Sequence, residues 1–280
     1  MVHVGRFRLD LISDGFFEDD ADTFVHLRAD GQPPPRTRGK PRIKVGFNSL
    51  LIRGDGKTVV VDPGTGDKPR PDKVKQYRME WPRRFFPSLA TLNVPLESVD
   101  AVILTHLHWD HAGAATRQAE HGALVPTFPR ARCYVQALEL EAAREAVRRG
   151  DDGYDPGDFE PLVEHNCLHT VSGASEILPG VMVRWTGGHC RGLQIVYIAS
   201  EGRRAVFLSD LVPTTAQLPP DCVLSYDEDV PQLRAAKEAV LSEARERGDL
   251  LLFVHAPRVR AGYLKLQAGG TVAFESIAIG

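Results

Sequence analysis

The aliphatic run Ala101-Val102-Ile103-Leu104 leads directly into Thr105-His106-Leu107-His108-Trp109-Asp110-His111, and no other stretch constrains this chain as strongly. The run is too short for a helix and reads as a buried strand. Beyond its end, three histidines and an aspartate fall within six positions. Neutral imidazole is a common metal ligand, and a carboxylate adds charge and oxygen. His106 and His108 stand two apart, so extended chain sends both side chains to one side. A turn after His108 returns Asp110 and His111 beside them. Gly113 permits a close approach, and a helix is expected to start within residues 112–120. A lone histidine at a strand end is ordinarily solvated or structural, whereas this spacing points to a metal site.

The 280 residues suffice for one large domain or two small ones, and 42% hydrophobic residues supply a core. With 34 basic and 37 acidic side chains the formal charge is -3, which argues against a general nucleic-acid binder. Residues 4–11 read as a strand rather than a secretion signal, and no window approaches the ~18 apolar residues of a membrane helix. A cytoplasmic location is the default expectation. Cys133, Cys167, Cys190 and Cys222 form no CxxC pair, so free thiols are expected.

Along the chain, residues 4–12 read as a first strand. Residues 13–42 read as a long irregular segment, a lid or an oligomer contact. Residues 44–52 and 58–61 read as paired strands around Gly54-Asp55-Gly56. Residues 77–87 carry aromatic and basic side chains suited to lining a cleft or covering a sheet, and 88–92 suggest a short helix. A strand at 133–135 precedes a helix at 138–149 ended by Gly150. Residues 151–161 read as a crossing between two halves. Further strands are expected at 181–185, 194–199, 204–208 and 250–254. The helix at 229–247 has Asp229 as cap, Pro231 in its first turn and Gly248 at its end. These periodicities establish mixed α and β structure.

The histidine stretch resembles the HxHxDH signature of the metallo-β-lactamase superfamily, and the resemblance continues along most of the chain. It implies a four-layer αβ/βα sandwich in which two mixed β-sheets are flanked by helices, forming a single domain over 1–280. Asp62, in Asp62-Pro63-Gly64, matches the aspartate that supports a ligand histidine. His189 lies in Gly188-His189-Cys190, where the superfamily usually has Gly-His-Thr; Cys190 itself reads as a small packed residue. Asp210 and His255 match the remaining ligands. The resemblance implies that His106, His108 and His189 hold one metal, that Asp110, His111 and His255 hold the other, and that Asp210 bridges. Two divalent ions are implied, zinc first, with manganese, cobalt or iron as alternatives. A metal-bound hydroxide would attack a carbonyl or phosphoryl centre, with Asp110 relaying a proton.

An aspartate at 210, where the zinc β-lactamases carry cysteine, is similar to the lactonase-like branch. So are Asn48-Ser49-Leu50-Leu51-Ile52, Pro126-Thr127-Phe128-Pro129, Pro213-Thr214-Thr215 and Ser225-Tyr226-Asp227. That branch includes quorum-quenching acyl-homoserine lactonases, and methyl-parathion-hydrolase-type enzymes share much of the pattern. Pro213 stands where several lactonases have a tyrosine, and Tyr226 is the candidate catalytic substitute. The implied activity is dinuclear hydrolysis of lactones or related esters. Phosphotriester or phosphodiester hydrolysis is the alternative, and an iron-dependent sulfur dioxygenase a more distant one. The implied partner is a small-molecule substrate, with no nucleic acid and no membrane, and a homodimer is left open.

Overall fold

The computed structural model describes residues 1–27, 41–68, 70–267 and 269–279. Two seven-stranded mixed sheets dominate it. The first runs in the order Val2–Val4, Phe7–Asp20, Arg42–Gly54, Lys57–Val61, Ala101–Ile103, Arg132–Gln136 and Leu168–Val171. The second runs Ala174–Leu178, Val181–Trp185, Gln194–Ser200, Arg203–Phe207, Leu250–Leu252, Ala261–Leu266 and Val272–Ser276.

Period-2 alternation explains the layering. In the first sheet Leu9, Leu11, Leu50, Ile52, Val59, Val61, Ala101 and Ile103 face Val183, Val196, Ile198, Phe207 and Leu252 of the second. The intervening residues Leu51, Val60 and Val102 point outward onto Phe85 and Leu89 of helix Phe85–Thr91, Ala143 and Ala146 of helix Ala137–Arg148, and Leu162. On the far side, Ile195, Val206 and Leu251 meet Leu233, Val240 and Ala244 of helix Val230–Arg247. Strands buried on both faces read as continuous aliphatic runs, which is why the central ones were visible in the sequence. The four-layer sandwich is therefore the fold.

Strand direction places the functional end. Lys57–Val61, Ala101–Ile103 and Arg132–Gln136 are mutually parallel, so their C-terminal ends share one edge. Val181–Trp185 and Arg203–Phe207 each run antiparallel to Gln194–Ser200, and Arg203–Phe207 is parallel to Leu250–Leu252. Their C-terminal ends therefore also coincide. The sheets are joined there by Gly46 N–H and Asn48 N–H, which donate to His255 O and Val254 O at 2.9 Å each.

Several expectations are corrected. The single strand expected over 4–12 is broken at residues 5–6: Val2–Val4 pairs antiparallel with Phe7–Asp20, which runs on past 12 with a register shift between Ser13 and Phe16, so the start of the expected irregular segment is sheet. Within that segment, Ala21–Thr23 is a 3-10 turn and Phe24–His26 pairs with Cys222–Leu224, while residues 28–40 lie outside the described residues. The helix expected to start within 112–120 is replaced by helix Trp109–Ala112, a 3-10 turn at Gly113–Ala115 and strand Thr116–Gln118. Gly113 keeps right-handed helical angles (φ -52°, ψ -44°) and permits a close approach to the turn after Lys57–Val61, because a Cβ there would lie 2.3 Å from Thr65 O. The crossing between sheets falls at Val171–Ala174 rather than within 151–161, which holds a 3-10 turn and helix Glu160–Glu164. All four cysteines are free thiols. No helix among the described residues is long and apolar enough to cross a membrane.

Candidate metal centre

All seven residues singled out as metal ligands meet at the shared end of the sheets. His106, His108, Asp110 and His111 follow strand Ala101–Ile103. His189 follows Val181–Trp185, Asp210 follows Arg203–Phe207, and His255 follows Leu250–Leu252. Ligand atoms fall into three groups, each within 4.8 Å: His106, His108, His189; His106, His111, Asp210; and Asp110, His111, His255. Asp210 lies between the first and third. Its Oδ2 is 3.3 Å from His189 Nε2, and its Oδ1 is 3.2 Å from His255 Nε2. Asp110 Oδ2 lies 3.5 Å from His255 Nε2 and 3.7 Å from His111 Nε2.

Hydrogen bonds outside the cluster fix the imidazole tautomers. His189 Nδ1–H donates to Asp227 Oδ1 at 2.8 Å, and His255 Nδ1–H to Gly46 O at 2.8 Å. His111 Nδ1–H donates to Asp62 Oδ2 at 2.8 Å. The Thr105 hydroxyl donates its single proton to Asp62 Oδ2 at 2.6 Å. Thr105 Oγ1 can therefore only accept from His106 Nδ1, 3.1 Å away. As neutral imidazoles, His106, His111, His189 and His255 consequently turn an unprotonated Nε2 inward. His108 presents Nδ1 instead, 2.9 Å from His106 Nε2 and 3.2 Å from His189 Nε2.

Lone pairs facing lone pairs repel unless a cation lies among them. His111 Nε2 and His255 Nε2 stand 3.2 Å apart, and buried Asp210 Oδ1, 3.2 Å from His255 Nε2, has no donor while that imidazole is neutral. Nitrogen and carboxylate donors of this kind fit zinc and similar divalent ions. The electrostatics agree with that fit. Burial, reinforced by neighbouring histidines, pushes His106 and His108 well below the usual imidazole range. Burial also opposes the charge on Asp210, but His255, His111 and His189 outweigh it and hold the carboxyl well below its usual range. Burial opposes protonation of His111, yet Asp210, Asp110 and Asp62 raise it well above its ordinary value. A cation would relieve that demand for positive charge.

Asp62 supports His111, as the sequence suggested. Its φ of +46° is one that aspartate tolerates better than most residues. Asp227 lies in a segment similar to lactonases, and its bond to His189 is one that sequence reasoning misses. It stands 38 residues away, and only the Ser225-Tyr226-Asp227 pattern hinted at it. Glu139 and Gly46 carried no local signal. Cys190 is buried, as expected, and its thiol donates to Glu139 Oε2 at 3.2 Å. Tyr226 does not pack into the core. It is 48% exposed, its ring centre lies 5.7 Å from that of His189, and it lines the cleft.

The centre opens into a cleft of about 1020 Å³. Phe17, Tyr77, Trp109 and Tyr226 line it, with Tyr77 and Trp109 centred 5.4 Å apart. Asp19, Asp20, Asp22, Asp151, Asp152 and Glu228 also line it, and Arg42 is the one guanidinium among its described lining residues.

Known proteins resemble this chain in sequence and in fold. An N-acyl homoserine lactonase from Bacillus thuringiensis is 32% identical over 110 residues, which is 39% of this chain and 36% of the length of that relative. A probable metal-dependent hydrolase from Staphylococcus aureus superposes with a TM-score of 0.85 at 22% identity, covering 99% of each chain. The dizinc quorum-quenching lactonase AidC superposes at 0.75 with 17% identity, over 99% of this chain and 96% of that one. The hydrolase AbOPH superposes at 0.78 with 18% identity, over 100% and 97%. These structural likenesses speak to the fold. The family model of the metallo-beta-lactamase superfamily matches residues 45–255, which spans every candidate ligand, and the chain belongs to that superfamily.

Proposed function

We propose that this superfamily hydrolase opens lactones or cleaves related carboxylic esters with two divalent cations, zinc by preference. His106, His108 and His189 would hold one, Asp110, His111 and His255 the other, and Asp210 would contact both. The observation that carries this reading is the set of four imidazoles whose Nδ1 atoms are engaged from outside while Nε2 turns inward. Cations bound there supply Lewis acidity and make water acidic near neutral pH.

The chain's own groups account for the rest. Asp110 reaches the cleft with a side chain 15% exposed, so it can accept a proton from an attacking water and pass it to the leaving oxygen. Tyr226 would offer its hydroxyl to the substrate carbonyl, in place of the tyrosine that Pro213 displaces. Phe17, Tyr77 and Trp109 supply an apolar wall for an acyl or alkyl group. The carboxylates along the cleft disfavour an anionic substrate, so neutral lactones and esters fit better than phosphodiesters. A neutral phosphotriester passes the same electrostatic filter and is the second reading. The segment 13–42 contributes Phe17, Asp19, Thr23 and Arg42 to the wall, which supports a substrate-contacting role for it.

The test is a comparison of kcat/KM for a lactone, an aryl ester, a phosphotriester and a phosphodiester, using protein stripped of metal and then reloaded with zinc. The expected order places lactone or ester first and phosphodiester last, with no turnover before reloading. Full activity in stripped protein, or a preference for the diester, would refute the assignment.

A further inference from the structure

Glu139 is fully buried in the first turn of helix Ala137–Arg148 and points at neither the cleft nor solvent. Its Oε1 accepts from Leu107 N–H at 2.9 Å. Its Oε2 accepts from Gly192 N–H at 3.1 Å and from the Cys190 thiol at 3.2 Å. Leu107 lies between His106 and His108, Cys190 follows His189, and Gly192 lies three residues past it. One carboxylate thus holds two loops that leave different sheets, and these loops carry all three histidines of the first donor set.

Packing reinforces the link. A Cβ at Gly192 would lie 2.2 Å from Glu139 Cβ and 2.4 Å from its backbone N, so the second loop sits directly on the helix turn. A carboxylate that merely capped its own helix would accept from helix amides, whereas the three bonds of Glu139 all go to the two loops. The other donor set is supported separately, His111 by Asp62 and His255 by Gly46 O.

We propose that Glu139 is a positioning residue that locks these two loops in register, so that His106, His108 and His189 converge before a cation arrives. The inference rests on reading those histidines as metal ligands. It also gives Cys190 a role, since its thiol supplies one of the three donors. Without Glu139 the loops must be ordered by the cation itself, and affinity at that set falls. The set built on Asp110, His111 and His255 keeps its own supports.

The experiment titrates metal-free protein with zinc against a chromophoric chelator and measures bound zinc by elemental analysis. It compares wild type, Glu139→Gln, Gly192→Ala, Cys190→Ala and Asp249→Asn. In Glu139→Gln an amide N–H must face either Leu107 N–H or Gly192 N–H, and Gly192→Ala pushes the second loop off the helix. Asp249→Asn is a control. It weakens the bond that buried Asp249 accepts from half-buried Arg204 Nε (2.9 Å), at the opposite end of strand Leu250–Leu252 from His255. Wild type is expected to bind two equivalents. In Glu139→Gln and Gly192→Ala one equivalent should weaken about 10–100-fold while the other stays within about threefold. Cys190→Ala, which deletes one donor of three, should weaken the same equivalent by about three- to tenfold. Asp249→Asn should leave both equivalents unchanged.

The proposal is overturned if Glu139→Gln binds both equivalents as wild type does, if both weaken together, or if Asp249→Asn shows the same selective loss. Should Glu139→Gln not fold, selective loss in Cys190→Ala and Gly192→Ala supports the proposal, and unchanged binding in both overturns it. Wild-type protein that binds no zinc is a separate failure, which removes the metal reading itself.

Discussion

Asp62 permits a substitution that separates metal binding from folding. Its Oδ1 accepts from Thr105 N–H at 2.8 Å, and its Oδ2 accepts from the Thr105 hydroxyl and His111 Nδ1–H. In Asp62→Ala two buried N–H groups lose their acceptor at about 1–3 kcal/mol each, and alanine at φ +46° adds about 1 kcal/mol, for roughly 3–7 kcal/mol in all. The Thr105 hydroxyl can turn to Ser209 Oγ, 2.7 Å away, and is not counted. Asp62→Asn keeps the shape and tolerates the left-handed backbone. Its oxygen can still serve Thr105 N–H, but its NH2 then faces His111 Nδ1. That imidazole must move its proton to Nε2, the atom that faces the centre. Metal-free Asp62→Asn should therefore lose only about 1–2 kcal/mol in urea unfolding. Zinc affinity of the set containing His111 should fall about 10–100-fold in chelator competition. Equal destabilisation by Asn and Ala, or zinc binding by Asp62→Asn at the wild-type level, would refute the argument.

Three other outcomes are expected. Zinc at about 100 times its Kd should stabilise the metal-free protein by about 2.7 kcal/mol, and a chelator should reverse the gain; a Tm indifferent to zinc would count against the metal centre. Gly113→Ala, whose Cβ would meet Thr65 O at 2.3 Å, should cost about 2–4 kcal/mol, and a change in unfolding free energy below about 0.5 kcal/mol would contradict the packing. Lys237 is buried with Nζ donating to Cys222 O at 2.5 Å, and burial, opposed by Asp227, lowers its pKa to about 8. From pH 8 to about 10.4 the unfolded lysine keeps its proton while the folded one loses it, so stability should rise with pH by up to about 3 kcal/mol. Below pH 8 both states are protonated and the contribution is flat. Lys237→Met should lack that rise in urea titrations at pH 8, 9 and 10, and parallel curves for the two proteins would refute the assignment.

What the sequence revealed was local. A buried aliphatic strand followed by histidines advertises itself, because the ligands and the strand that aims them are adjacent. The supports did not, since Asp227, Glu139 and Gly46 reach their partners only through the fold. The full length of strand Phe7–Asp20 is hidden in the sequence for a related reason. The expected irregular segment begins at Ser13, yet the sheet absorbs Ser13-Asp14-Gly15 as an irregularity with Gly15 at φ +100°. Asp14 turns inward there and accepts from Arg83 Nη2 at 2.8 Å, Arg84 N–H at 2.8 Å and Phe85 N–H at 2.7 Å. Only the tertiary structure supplies those partners. Leu168–Val171, Ala174–Leu178 and Val272–Ser276 went unread because they lie at or beside sheet edges, half exposed, with no continuous apolar run.

The residue that begins the motif joins the sheets without being a candidate ligand. Asp62 and Ser209 each follow a strand with φ near +46°, a conformation that costs a serine about 1 kcal/mol or more. Both contact Thr105, Asp62 by accepting from its amide and hydroxyl, Ser209 through Oγ at 2.7 Å. Thr105 Oγ1 also accepts from His106 Nδ1. One hydroxyl therefore connects the turn after Lys57–Val61 in the first sheet, the turn before Asp210 in the second, and the first histidine of the motif. Strain that persists at two strand ends, both tied to one side chain, is better explained by what it aims than by folding alone. Relaxing either turn would rotate Asp62 away from His111 or Asp210 away from His189 and His255. The strain and the inward Nε2 atoms of His106 and His111 are thus two consequences of a single hydrogen-bond network centred on Thr105.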